Sequence, residues 1–187
     1  AQAIAQGISE EGGLFVPCEL PQFSLDKIAS MVDMPYTERA KTVLKDFLTD
    51  FSEEELDYCV NGAYAAEKFS SSKIAPTVNV AGNKNILELW HGPTCAFKDM
   101  ALQLLPYLMT VSAKKTADGK TIVILVATSG DTGKAALEGF KDVDNTRILV
   151  FYPVDGVSPM QKLQMTTQDG ENVSVCAING NFDDAQS

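Results

Sequence analysis

Residues 121–133 read TIVILVATSGDTG. The run TIVILVA (121–127) is apolar throughout instead of alternating, the pattern of a strand buried on both faces, and TSGDTG breaks it immediately before a helical stretch near 132–141. A buried strand, a glycine-rich turn and a helix make the first part of a βαβ unit, and the pattern continues on both sides. Downstream come RILVFY (147–152), then SPMQKLQMTTQ, then VSVCAI (173–178). In SPMQ, Ser158, Pro159 and Gln161 supply a helix cap, a first-turn proline and the far half of a capping box. Upstream, ILELW (86–90) leads into HGPTCAFKD (91–99) and a helix near 97–114, which Pro106 should kink or end early. These elements predict a three-layer α/β/α arrangement with a mostly parallel sheet. Ligands of such sheets bind at the carboxyl ends of the strands, where HGPTCAFK and TSGDTG are both expected.

The chain changes character near residue 75. Before it the reading is helical. FSLDKIASMVDM puts Leu25, Ile28, Ala29 and Val32 on one face behind Ser24 as cap, ERAKTVLKDFL repeats the spacing, and Ser52 with Glu55 forms a capping box. The expected organisation is a mostly helical N-terminal segment, 1–75, followed by a parallel α/β segment, 76–187. The opening AQAIAQGI reads as the inside of a helix, and NFDDAQS stops where Asp183 and Asp184 would begin one. Both suggest a piece of a longer protein.

A net charge of −10 argues against non-specific binding to nucleic acid or anionic membranes, which leaves a small molecule as the default partner. Four scattered cysteines, no CxxC and a single histidine suggest neither a zinc site nor a disulfide framework. No apolar run is long enough for a membrane span, and a reducing cytoplasm is the expected setting.

Two loops carry candidate chemistry. TSGDTG offers backbone N–H groups and hydroxyls at a helix start, which suits an anion. It is not a P-loop, because Thr128 stands where that motif needs glycine and Ala135 replaces the magnesium-holding hydroxyl. The plainer alternative is that Thr128 or Ser129 only caps the helix. Lys98 follows Cys95, Ala96 and Phe97 at a helix start, where positive charge is disfavoured. Desolvation and the helix end would favour its neutral amine, as a Schiff-base lysine needs. The alternative is a solvated first-turn lysine paired with Asp99. His91 reads as a structural residue of the turn or a lining of the pocket rim.

With both loops in view, the sequence resembles threonine synthase, a family of fold-type II pyridoxal-phosphate enzymes. The resemblance runs through EEGGLFVP (10–17), HGPTCAFKD, ATSGDTG (127–133), VSPMQKLQMTTQ (157–168) and AINGNFDDAQ (177–186), essentially the whole chain. It implies conversion of O-phosphohomoserine and water to threonine and phosphate with pyridoxal 5'-phosphate as cofactor. By motif match, Lys98 would hold the cofactor covalently and then move protons at Cα and Cβ. Ser129 and Thr132 would bind the substrate carboxylate, Asp131 would lie beside the cofactor's 3-oxygen, and Thr94 would hold substrate near the reacting carbons. Family members are more than twice this long. Their loop for the cofactor phosphate and the hydroxyl facing the pyridine nitrogen would lie beyond residue 187, so this chain alone is expected to bind cofactor weakly and to be inactive. Two other readings stay open: another fold-type II lyase such as a serine/threonine dehydratase or a phospho-lyase, and a non-catalytic anion-binding domain.

Overall fold

The computed structural model describes residues 1–116 and 119–186. Helices come first: α1 (Gln2–Gln6), α2 (Leu25–Ser30), α3 (Tyr36–Phe47) and α4 (Glu53–Ala63). Their starts follow the side chains that cap them. Ser24 accepts from the Lys27 N–H, and Ser52 and Glu55 close a full capping box on α4. Next come two short strands, β1 (Thr77–Ala81) and β2 (Lys84–Leu87), and the helices α5 (Asp99–Leu102) and α6 (Leu105–Thr116). The remainder alternates as β3 (Ile122–Ala127), α7 (Asp131–Phe140), β4 (Thr146–Pro153), α8 (Pro159–Thr166), β5 (Val173–Ile178) and α9 (Phe182–Gln186).

The chain is thus a mixed α/β structure around a parallel three-stranded sheet in the order β3-β4-β5, with Ile124 beside Ile148 and Val150 beside Val175. Both crossovers step the same way along the sheet, so right-handed connection puts α7 and α8 on one face. That face carries a core of Leu137, Phe140, Ile148, Val150, Tyr152 and Met165, with Ile124 and Val126 packed against it. The other face differs from the sequence expectation. Val123 and Leu125 are 60% and 67% exposed, so β3 alternates in burial although its sequence does not alternate in polarity.

A second correction concerns ILELW. Instead of joining the parallel sheet, β2 pairs antiparallel with β1 across Gly82 and Asn83, and every residue of both strands is exposed. HGPTCAFKD therefore follows a surface hairpin and not a strand of the parallel sheet. Pro106 does end the helix expected near 97–114: α5 stops at Leu102, and α6 restarts with the proline in its first turn. The first core joins Leu56, Cys59, Val60 and Ala63 of α4 to Leu104, Leu108 and Val111, so packing runs across residue 75. Burial there pushes the Cys59 thiol pKa up to about 12, so it behaves as an inert apolar group.

Candidate active site

The segment around Lys98 is shaped by one buried carboxylate. Asp99 is fully buried and accepts from both the Thr94 N–H at 2.8 Å and the Thr94 hydroxyl at 2.7 Å. The stretch 94–99 closes as a clip that turns at Cys95, held in the left-handed region at φ +60°. Burial raises the pKa of Asp99, and the two bonds from Thr94 oppose that rise. Gly92 is required beside it, because a Cβ at that position would lie 2.5 Å from Asp99 Oδ2. The resemblance assigned Thr94 to the substrate, and the alternative reading of Lys98 paired it with Asp99. In the structure Thr94 and Asp99 bind each other.

Lys98 is half-buried, and its amine has no hydrogen bond or ion pair among the described residues; Nζ lies 5.1 Å from the centre of the Phe97 ring. It lines a cavity of about 530 Å³ together with Tyr36, Arg39, Phe97 and Met100. Phe97 is 56% exposed, so it covers the amine less than its neighbours in sequence suggested. His91 is structural. The Glu88 carboxylate can only accept, so Nε2 carries a proton toward it at 2.7 Å, and Nδ1 lies 2.9 Å from the Ser70 hydroxyl.

The TSGDTG loop is organised by Thr128, which is 1% exposed. Its Oγ1 accepts from the N–H groups of Gly130 and Gly133, at 3.0 and 2.9 Å, and donates to the Gly130 carbonyl. With those donors satisfied inside the loop, the N–H groups of Ser129, Asp131 and Thr132 have no protein acceptor among the described residues. The hydroxyls of Ser129, which is exposed, and of Thr132, which is half-buried, are also without partners there. Three backbone donors and two hydroxyls at the start of a ten-residue helix make a seat for an anion. Asp131 is held from the side, its Oδ1 accepting from Gln161 Nε2 at 2.8 Å.

The lysine segment and this loop are joined through helix packing. α5, which begins one residue after Lys98, lies against α7, and Asp99 feels the charges of Glu138 and Lys134 on that helix. At the contact, a Cβ on Gly139 would sit 2.1 Å from the Leu102 carbonyl oxygen. Glycine there lets the two backbones touch, and Pro106 is what frees that carbonyl by having no N–H to give it.

Similarity to known proteins runs along the whole chain. Residues 1–64 match the family model described as threonine synthase N terminus. A threonine synthase from Pseudomonas aeruginosa is 44% identical over 182 residues, covering 96% of this chain and 38% of the relative. The PLP-bound threonine synthase of Brucella melitensis superposes with a TM-score of 0.87 at 40% identity, covering 99% of this chain and 39% of that one. The chain is similar to the N-terminal part of threonine synthases. It spans about two-fifths of the length of these relatives. The human protein named threonine synthase-like 1 is 38% identical over 195 residues, which cover all of this chain and 26% of that protein.

Within the threonine synthase frame, reasoning from sequence named Lys98, Ser129, Asp131 and Thr132 but missed what holds them. Asp99 was seen only as a counter-ion, Thr128 only as a cap and Gln161 only as half of a capping box. Asp99 and Thr128 fold their own loops, whereas Gln161 joins two segments, and no local pattern signals a partner 30 residues away, as Asp131 is from it.

Proposed function

We propose that the whole protein to which this chain belongs is a threonine synthase, a pyridoxal-phosphate-dependent carbon–oxygen lyase that converts O-phosphohomoserine and water to threonine and phosphate. The observation that carries this reading is the free amine of Lys98, held in a rigid clip whose following helix packs on the helix that opens with TSGDTG. The residues fit the cofactor. An amine without hydrogen bond or ion pair is what covalent capture of an aldehyde requires, and the lysine stands on a cavity wall.

When bound, pyridoxal phosphate supplies an electron sink for charge developing at the substrate's α and β carbons. Lys98 Nζ holds the cofactor and then carries protons at Cα and Cβ, for which its neutral form is the active one. The unpaired N–H groups of Ser129, Asp131 and Thr132, with the Ser129 and Thr132 hydroxyls, take the substrate carboxylate at the positive end of α7. Asp131 Oδ2, which has no protein partner among the described residues, would be the oxygen offered to the cofactor's 3-oxygen. Thr94 keeps a lone pair on its hydroxyl after donating to Asp99, and it orients substrate through that. A cytoplasmic location belongs to the same proposal, as does inactivity of this chain by itself, since the groups that cradle the cofactor phosphate are assigned to the rest of the protein.

The test is an absorbance spectrum of the full-length protein with added pyridoxal phosphate, beside its Lys98→Ala variant. A cofactor–lysine band in the first and none in the second supports the reading; no band in either removes Lys98 from the chemistry. A second reading is a related lyase with another leaving group, since one relative bears the name threonine synthase-like 1 and not threonine synthase. Phosphate release from O-phosphohomoserine, assayed against turnover of serine and threonine, separates the two.

A further inference from the structure

We infer that Gln161 is a positioning residue that fixes the carboxylate of Asp131, selecting which of its oxygens faces the ligand; this rests on the reading above, in which Asp131 lies beside the cofactor ring. Gln161 is the third residue of α8, and its side chain faces two ways. Its Oε1 accepts from the Ser158 N–H at 3.2 Å, completing the capping box, while Nε2 donates to Asp131 Oδ1 at 2.8 Å. The amide has one orientation that works. Turned over, it would set oxygen against a carboxylate and N–H against N–H.

A capping box needs only the accepting end, and glutamate serves there as well as glutamine. Glutamine is demanded only if the far end must donate. The surroundings are built around that contact. A Cβ at Gly130 would lie 2.4 Å from Gln161 Cδ, and Gly130 adopts φ +146°, a conformation open to glycine. Further along, α8 is anchored under α7 by fully buried Met165, and Lys134 donates to Gln168. Gln161 is the docking point nearest the loop. With Oδ1 engaged by Gln161, Oδ2 is the oxygen of Asp131 that has no protein donor among the described residues.

The experiment is a double-mutant cycle in the full-length protein, read as the pyridoxal phosphate concentration at half-saturation of the cofactor band. Gln161→Glu keeps the cap and turns the donor into a second carboxylate, so half-saturation should rise about tenfold, the effect of losing a hydrogen bond to a charged group. In an Asp131→Asn background the same substitution should change half-saturation by less than about twofold, because the asparagine amide can donate to the introduced carboxylate. If Asp131→Asn itself abolishes binding, melting temperatures of the cofactor-free proteins are compared, and the same coupling is expected. Half-saturation of Gln161→Glu equal to that of the parent, or an equal cost in both backgrounds, would overturn the inference while leaving the cofactor reading intact. No band in the parent would overturn both.

Discussion

Thr94 and Asp99 form a closed pair in which one residue gives both its N–H and its hydroxyl to the two oxygens of the other. The pair sets the direction in which the chain enters α5, and therefore where Lys98 points. Replacing Asp99 by alanine leaves two donors of Thr94 without acceptor in a buried site, at a cost of about 2–3 kcal/mol. Asp99→Asn keeps one accepting oxygen and should cost less. Gly92→Ala should approach the alanine variant, since its methyl carbon would occupy the space of Asp99 Oδ2. Urea denaturation of the three variants checks the order, and a Gly92→Ala variant as stable as the parent would remove the steric argument.

The pH dependence of the same group follows from its burial. Asp99 has a folded pKa above its unfolded value, so its protonated form is the one the fold favours. The contribution is fully present below the ordinary carboxylate pKa near about 4 and is lost as pH rises through the folded value. An asparagine in its place does not titrate. The stability difference between parent and Asp99→Asn should therefore shrink as pH rises from about 4 toward neutrality, measured by denaturation at several pH values.

Thr128 carries the second loop. Thr128→Val removes an acceptor from the N–H groups of Gly130 and Gly133 while keeping the shape of the side chain. A loss of about 2–3 kcal/mol is expected, with Thr128→Ser recovering most of it. Thermal denaturation gives the comparison. Recovery by serine is the informative part, because packing loss alone would make serine the worse of the two.

How much of this was legible in the sequence depends on the range of the interaction concerned. Caps are local, and Ser24, Ser52 with Glu55, and Ser158 with Gln161 begin their helices where the pattern put them. The β3, β4 and β5 strands were legible because each is a long apolar run. The hairpin was not read, although Gly82-Asn83 between TVNVA and KNIL is a turn signal, and ILELW was drawn into the sheet on hydrophobicity alone. Burial of β3 was misjudged for a related reason: composition says a face is apolar, not that anything covers it. The role of Gln161 is tertiary, and a single sequence carries no mark of it, while Asp99 and Thr128 bond within their own loops, whose geometry residue spacing alone does not give.

The contact between α5 and α7 makes a further prediction. Gly139→Ala would push a methyl carbon into the Leu102 carbonyl oxygen, which is backbone and cannot turn aside. The helices must separate, at a cost of about 1–3 kcal/mol or more. Because this contact joins the lysine segment to the TSGDTG helix, the variant should lose cofactor affinity in the full-length protein as well as stability. A variant that melts early yet holds cofactor as tightly as the parent would show that the two loops are aligned by other contacts.

Gln103 offers the opposite sign. It is 4% exposed, in the turn between α5 and α6, and its Nε2 is buried without a hydrogen-bond partner among the described residues. An unmatched buried amide costs about 1–3 kcal/mol relative to a satisfied one. Methionine has nearly the same length and volume and no donor to leave unmatched, so Gln103→Met should raise stability by up to about 1 kcal/mol. The melting temperature of the variant decides the matter. A fall of several degrees would mean that the amide is satisfied in solution, by water in the adjoining cavity of about 430 Å³ bounded by Tyr107, Thr110 and Glu138.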